Sequence, residues 1–170
     1  MGVVRTVARR PRAARGAVRA ARRSARATRP LLRFAWNARH GRLQKTLSAT
    51  VAASALPLAF EVYLEHYKGS FGDVWEWAPI ACTPPVVAAG VAGMMSERAA
   101  RTALPAASAL YALNGAIGTA LHLRGVWRKP GGLREPGYNL VMGPPLLAPG
   151  SFLLIGALGM LAGVVRREQG

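Results

Sequence analysis

The chain has 170 residues, 51% of them hydrophobic, and a formal net charge of +16, yet the apolar and the charged residues occupy different stretches. Soluble domains mix charge into their helices, whereas here charge collects between apolar blocks, which argues against an ordinary soluble enzyme. The single cysteine, Cys82, excludes an intrachain disulfide and a cysteine-rich metal site, and no Walker loop, dinucleotide-binding glycine fingerprint, HExxH or GxSxG sequence occurs.

Residues 1–45 carry fourteen basic residues and no acid; the first carboxylate is Glu61. The run VARRPRAARGAVRAARRSARATRP is rich in Arg and Ala and is interrupted by Pro11 and Pro30. It is expected to be a basic cytoplasmic tail, largely disordered or lying as helix on the membrane surface. Its partner would be anionic lipid, since each basic residue near such a leaflet is worth about 1 kcal/mol. Nucleic acid is a poorer partner, because no aromatic residue precedes Phe34 to provide a stacking platform. A transit peptide shares the composition, and plain positive-inside charge is the simplest reading. A secretory signal does not fit, because the apolar block that follows is too long and lacks a small-residue cleavage pattern. His40 is given no role.

Four apolar blocks follow, at 46–64, 77–95, 103–123 and 145–165. Each is near the roughly 20 residues that a helix needs to cross a bilayer. The expected fold is an all-α membrane protein with four transmembrane helices, residues 166–170 forming a cytoplasmic C-terminus. Pro57, Pro79, Pro84, Pro85 and Pro149 fall within the spans or at their edges, where neighbouring helices compensate for lost backbone hydrogen bonds. With the N-terminus in the cytoplasm of a bacterial-type inner membrane, 18 of the 23 basic residues lie inside. Only Glu97 and Glu168 of the seven acids join them, so both termini are expected to be cytoplasmic. Trp75, Trp77, Trp127 and Tyr138 then form an outer aromatic belt, and the basic segment Arg124–Arg134 is the part that must be carried across.

Two pairs of short motifs suggest internal repetition. HYKGSF at 66–71 recurs as HLRGVW at 122–127, and TPPVVAAG at 83–90 recurs as GPPLLAPG at 143–150. The order is the same in each half, so two parallel helical hairpins are expected, related by an axis along the membrane normal with His66 matching His122. Gly115, Gly118 and Thr119 give the third span a small face; Gly156, Gly159 and Gly163 do the same for the fourth, which favours close helix approach. Asn114, near mid-span, needs a hydrogen-bond partner and should face inward.

The candidate site is a ligand-binding or ion-pair cluster of Glu61, Glu65, His66, His122 and Arg124, with Arg128, Lys129 and Arg134 as an outer basic segment. Glu61 would lie about 7 Å deeper in the membrane than His66, where a carboxylate is costly unless paired. The two histidines suit axial haem ligation. With the glutamates they suit zinc or iron, and with the basic residues an anionic headgroup or quinone-like ligand. The plain alternative makes both histidines interfacial caps and pairs Glu61 with Arg124 or His122. No nucleophile–base pair stands out, and Cys82 reads as core packing. The function expected is that of a non-enzymatic accessory or assembly component acting through helix contacts, with other membrane subunits or a second copy as partners besides lipid. A haem- or metal-binding redox subunit, and a small transporter or headgroup-binding protein, are the alternatives.

Overall fold

The computed structural model describes residues 27–169, Leu133 by its backbone alone, so most of the arginine-rich tail lies outside the described residues. The chain divides into two units at His40–Gly41. In the first, a helix, α1, covers residues 27–39. His40 closes it: the imidazole Nδ1–H donates to the Trp36 carbonyl over 2.7 Å, and the ring stacks on the indole with centroids 4.2 Å apart.

The second unit holds four long helices: α2 (Gln44–Lys68), α3 (Ala78–Met95), α5 (Ala103–Trp127) and α7 (Leu147–Val164). A five-residue helix, α4 (Glu97–Arg101), fills the turn between α3 and α5, and a six-residue helix, α6 (Pro136–Val141), lies in the long loop before α7. No strand occurs among the described residues beyond an isolated bridge between Arg42 and Arg166. Among the described residues, four helices are long and apolar enough to cross a membrane. The apolar runs therefore locate the spans, but α2 and α5 each continue a turn beyond the expected ends, to Lys68 and Trp127. The added turns hold Glu65, Lys68 and Arg124, whose long side chains can reach polar surroundings while the backbone stays helical.

The packing is the reverse of a water-soluble bundle. Large side chains point outward: Phe60, Leu110, Leu113, Ile117, Leu121, Leu153 and Leu154 are all exposed. About half of the buried positions in the four long helices are Ser, Ala or Gly, with Leu104, Tyr111, Phe152 and Ile155 as the large buried exceptions. In water such a surface would aggregate; against lipid it costs nothing, and small residues inside let backbones come together. Helix α2 packs on α3 and α7, and α5 packs on α7 and α3, so the last span closes against the first.

Two seams hold these helices. Gly90 and Gly93 of α3 lie over Ser48 and Ala52 of α2; Gly156 and Gly159 of α7 lie over Ser108 and Ala112 of α5. A Cβ on Gly90 would stand 2.9 Å from the Ser48 carbonyl oxygen, and one on Gly156 2.6 Å from the Ser108 carbonyl oxygen. Leu104 joins the seams: its two methyls would meet a Cβ on Gly93 at 3.3 Å and one on Gly159 at 3.4 Å. Above the second seam, Tyr111 stacks on Phe152 with centroids 4.4 Å apart, both fully buried.

The seams occupy corresponding positions. Buried Gln44, Ser48, Val51, Ala52 and Ala55 on α2 are matched, at one constant offset, by Leu104, Ser108, Tyr111, Ala112 and Gly115 on α5. Residues 51–60 and 111–120 show the same succession of buried, half-buried and exposed positions throughout. Buried Thr83, Val86, Ala89, Gly90 and Gly93 on α3 are matched, again at a constant offset, by Pro149, Phe152, Ile155, Gly156 and Gly159 on α7. These matches differ from those of the sequence motifs. They set His66 against Val126 rather than His122, and Thr83 against Pro149 rather than Gly143.

Local structure explains the difference. HYKGSF ends α2: Gly69 follows the last helical residue, and Ser70 and Phe71 turn with φ of 61° and 46°. HLRGVW lies within α5. Likewise Pro84 and Pro85 sit inside α3, whereas Pro144 and Pro145 precede α7. The conspicuous motifs therefore do not occupy equivalent places; the inconspicuous small residues do.

The C-terminal residues form a strap across the end of the bundle where α2 begins and α7 ends. Arg166 N–H donates to the Gly41 carbonyl (3.0 Å), and Gln44 N–H donates to the Arg166 carbonyl (3.2 Å). Fully buried Gln44 donates through Nε2 to the Ala162 carbonyl (3.1 Å), and its Oε1 accepts from the Arg167 guanidinium (3.2 Å). Arg167 also donates to the Gly93 carbonyl near the end of α3 (3.0 Å). The Glu168 carboxylate accepts from Lys45 N–H (2.7 Å) and Thr46 N–H (2.8 Å), capping α2, whose own N-cap residue, Leu43, has no side-chain acceptor. Burial alone would raise the Glu168 pKa; the Thr46 and Lys45 N–H groups outweigh it and hold the carboxyl below its ordinary value.

Two outcomes follow for unfolding in detergent. Gly156→Ala forces a methyl into the seam and should cost about 1–3 kcal/mol. Gly150→Ala, where nothing lies within 4 Å, should be neutral or stabilising by up to about 1 kcal/mol; equal effects would contradict the seam. Glu168→Ala should cost about 1 kcal/mol at neutral pH. Because the folded carboxyl has the lowered pKa, its stabilisation is present above the ordinary carboxylate range and disappears as pH falls through the lowered value. The difference in melting temperature between wild type and Glu168→Ala should therefore shrink on acidification.

Candidate functional site

The residues singled out from the sequence lie mostly at the distal end of the bundle, opposite the strap. Here packing is looser: α2 has no buried residue between Ala55 and Val62, and α5 none between Gly115 and Val126. Closure at this end depends on side chains reaching across from the helices to the loops.

His66 is half-buried in the last turn of α2, and its Nδ1–H donates to the Glu76 carbonyl over 2.9 Å. Glu76 belongs to a short 3-10 turn, Val74–Trp77, started by Asp73, whose carboxylate accepts from Trp75 N–H (3.0 Å). That turn runs directly into α3. The positive φ at Phe71 folds its ring back onto Trp77, stacked with centroids 4.1 Å apart, and beside Tyr63 at 5.6 Å and His66 at 6.1 Å. A bulky residue in this backbone region is strained by roughly 1–3 kcal/mol, which the ring stacking offsets.

His122, also half-buried, makes the corresponding contact in the second hairpin. Its Nδ1–H donates over 2.7 Å to the carbonyl of Pro145, just before α7. A carbonyl oxygen only accepts, so both rings carry a proton on Nδ1 and leave Nε2 unused. Each histidine thus ties the first helix of its hairpin to the chain entering the second. They sit one helical turn apart in the register of the seams. The register that sets Ser48 on Ser108 sets Val62 on His122 and His66 on Val126, and both valines are buried.

The acids do not converge on the histidines. Half-buried Glu65 pairs with exposed Lys68 one turn along α2, an interaction worth little at such a solvent-accessible position. Glu61 is exposed, and among the described residues no ion pair joins it to Arg124 or His122. Arg124, Arg128 and Arg134 are exposed or half-buried at the rim, as is Lys129. Asn114 is half-buried at mid-span and its side chain hydrogen-bonds to no described residue; Ser54 holds the matching position on α2. Among the described residues, no three His, Cys, Asp or Glu side chains meet closely enough to hold a metal ion.

Asn139 was not legible as important. It is fully buried, and its Nδ2 donates to the Pro130 and Gly132 carbonyls over 3.0 and 2.8 Å. The two glycines of that turn adopt φ of 82° and 49°, which favours glycine, so the basic loop is drawn into a compact fold around one amide. The partners are backbone carbonyls, which leave no mark in the sequence. The Gly-Gly pair was the one available signal of a tight turn. Asn139→Ala should lose both hydrogen bonds, lower stability by about 1–3 kcal/mol, and speed trypsin cleavage at Arg128, Lys129 and Arg134 relative to wild type; unchanged cleavage would contradict this role.

Compared with protein-family models, curated proteins and solved structures, the chain gives no match.

Proposed function

We propose that this chain is a multi-pass protein of a bacterial-type inner membrane, with both termini in the cytoplasm, built from two repeats of one helical hairpin. Its role is that of a non-enzymatic accessory or assembly component, exercised through contacts of its outer apolar faces with lipid and with other membrane helices. One observation carries this reading. The polar residues that suggested a site each hold a hairpin or face outward separately: His66 on the Glu76 carbonyl, His122 on the Pro145 carbonyl, Glu65 with Lys68, and Glu61 exposed on α2. The charge imbalance between the two sides supports the orientation, and the matching burial registers of the hairpins support the repeat.

A second reading is favoured by one detail. A histidine whose Nδ1–H is fixed by a carbonyl presents its Nε2 lone pair, and this is how metal- and haem-ligating histidines are commonly oriented. The two readings separate on purified full-length protein. The accessory reading expects no Soret band and no stoichiometric metal. It also expects a photo-crosslinker at exposed Leu110 or Leu161 to give discrete protein adducts in native membranes. A Soret band or bound metal lost in both His66→Ala and His122→Ala would overturn it in favour of the redox subunit. Crosslinking to lipid alone would overturn the assembly role.

A further inference from the structure

The first described helix has a face that the rest of the chain leaves unexplained. In α1, Arg29, Arg33, Asn37 and His40 recur at intervals of four, four and three, forming one stripe. Leu31, Phe34, Ala35 and Ala38 form the opposite stripe, flanked by Leu32, while Trp36 falls beside Arg29 and His40 on the polar side, where Asn37 is 7% exposed. Leu31 is 70% exposed, Leu32 67%, Phe34 51% and Trp36 44%. Exposed Leu31, Leu32 and Phe34 on so short a helix are costly in water, and a basic stripe away from them is the pattern of a helix lying in a membrane interface.

We propose that residues 27–40 form an in-plane anchor that lies on the surface of an anionic bilayer, with Leu31, Phe34 and Ala38 inserted and Arg29 and Arg33 at the headgroups. It rests on the reading of α2 as a membrane span. Only residues 40–43 separate α1 from Gln44, the first residue of α2. A link that short reaches under about 20 Å even when fully extended, so α1 cannot leave the bilayer face at which α2 enters. Charge selects the lipid: residues 1–45 hold fourteen basic side chains and no acid, matching a leaflet of anionic headgroups. Arg39, on the flank of the apolar stripe, can lay its methylenes along the interface and keep its guanidinium in the headgroups. Trp36, stacked under His40, lies beside Arg29 on the polar stripe, at the headgroup level an interfacial indole favours.

The test uses the full chain with Cys82→Ala, reconstituted in nanodiscs of phosphatidylglycerol or of phosphatidylcholine alone. A nitroxide is attached at Leu31→Cys, at Arg33→Cys, or at Leu56→Cys, an exposed position in the middle of α2. Collision with oxygen reports lipid; collision with a water-soluble nickel chelate reports water. In anionic discs, oxygen access at position 31 should exceed that at position 33 severalfold, with the nickel chelate reversed, and the contrast should weaken in zwitterionic discs. Equal water access at positions 31 and 33 in anionic discs would overturn the anchor while leaving α2 a membrane span, provided that position 56 reports lipid. Water access at position 56 would overturn the underlying span and the anchor with it. An added oligonucleotide that moves position 31 from lipid to water at physiological salt would overturn the lipid assignment in favour of nucleic acid.

Discussion

The fold depends on how closely helix backbones approach along two seams of small residues. Gly90 and Gly93 against Ser48 and Ala52, and Gly156 and Gly159 against Ser108 and Ala112, leave no room for a side chain on the glycine side unless the helices move apart. A chain surrounded by lipid gains little from burying leucine inside rather than outside, so close dispersion contacts and polar ties between helices must hold it together. That constraint explains why most of the large apolar side chains face outward, and why Leu104 is placed where one side chain serves both seams. Buried positions thin out toward the distal end on α2 and α5, where histidine-to-carbonyl ties join the close approaches of Gly118 to Pro149 and Gly125 to Pro144.

The two ends of the bundle are therefore finished by different means. At the end where α2 begins and α7 ends, the strap joins α2, α3 and α7 through Gln44, Arg167 and Glu168, each contacting backbone groups left open by a helix terminus. At the distal end, each hairpin is closed separately, by His66 and the aromatic stack around Phe71 in one and by His122 and the Asn139-centred loop in the other. The hairpins share a register at the seams and differ at their ends. In a helix pair the seam tolerates only small residues, whereas a loop can be closed by many combinations of side chain and carbonyl.

This contrast sets what could be read from the sequence. The spans were legible because long apolar runs have no other use, although α2 and α5 outrun them on charged turns that remain helical. His66 and His122 suggested a match of the two halves that differs by one helical turn from the match of their burial patterns. Histidine and proline are conspicuous in a sequence, while the Ser, Ala and Gly that share a register are among its commonest residues. The candidate cluster was legible as a set of polar residues near one end of the bundle. Its interior was not, because the partners of His66, His122, Asn139 and Glu168 are backbone atoms. Glu61, read as costly in a span unless paired, is exposed on α2 and joins no ion pair among the described residues. The end beyond Val165 is held through the same kind of backbone contact.

The central claim is that the two hairpins are held by corresponding seams, Ser48 matching Ser108 on their first helices and Gly90 matching Gly156 on their second. Disulfide trapping in native membranes, on a Cys82→Ala background, addresses it directly. Ala52→Cys with Gly90→Cys, and Ala112→Cys with Gly156→Cys, place Cβ positions 3.0 and 2.6 Å apart, and a small separation brings them into the roughly 3.5–4.5 Å range of a disulfide. The account predicts that both pairs cross-link rapidly on mild oxidation. It also predicts that pairing Ala52→Cys with Gly156→Cys, which mixes the seams, does not. Failure of both matched pairs to cross-link, or cross-linking of the mixed pair as readily as the matched ones, would contradict it.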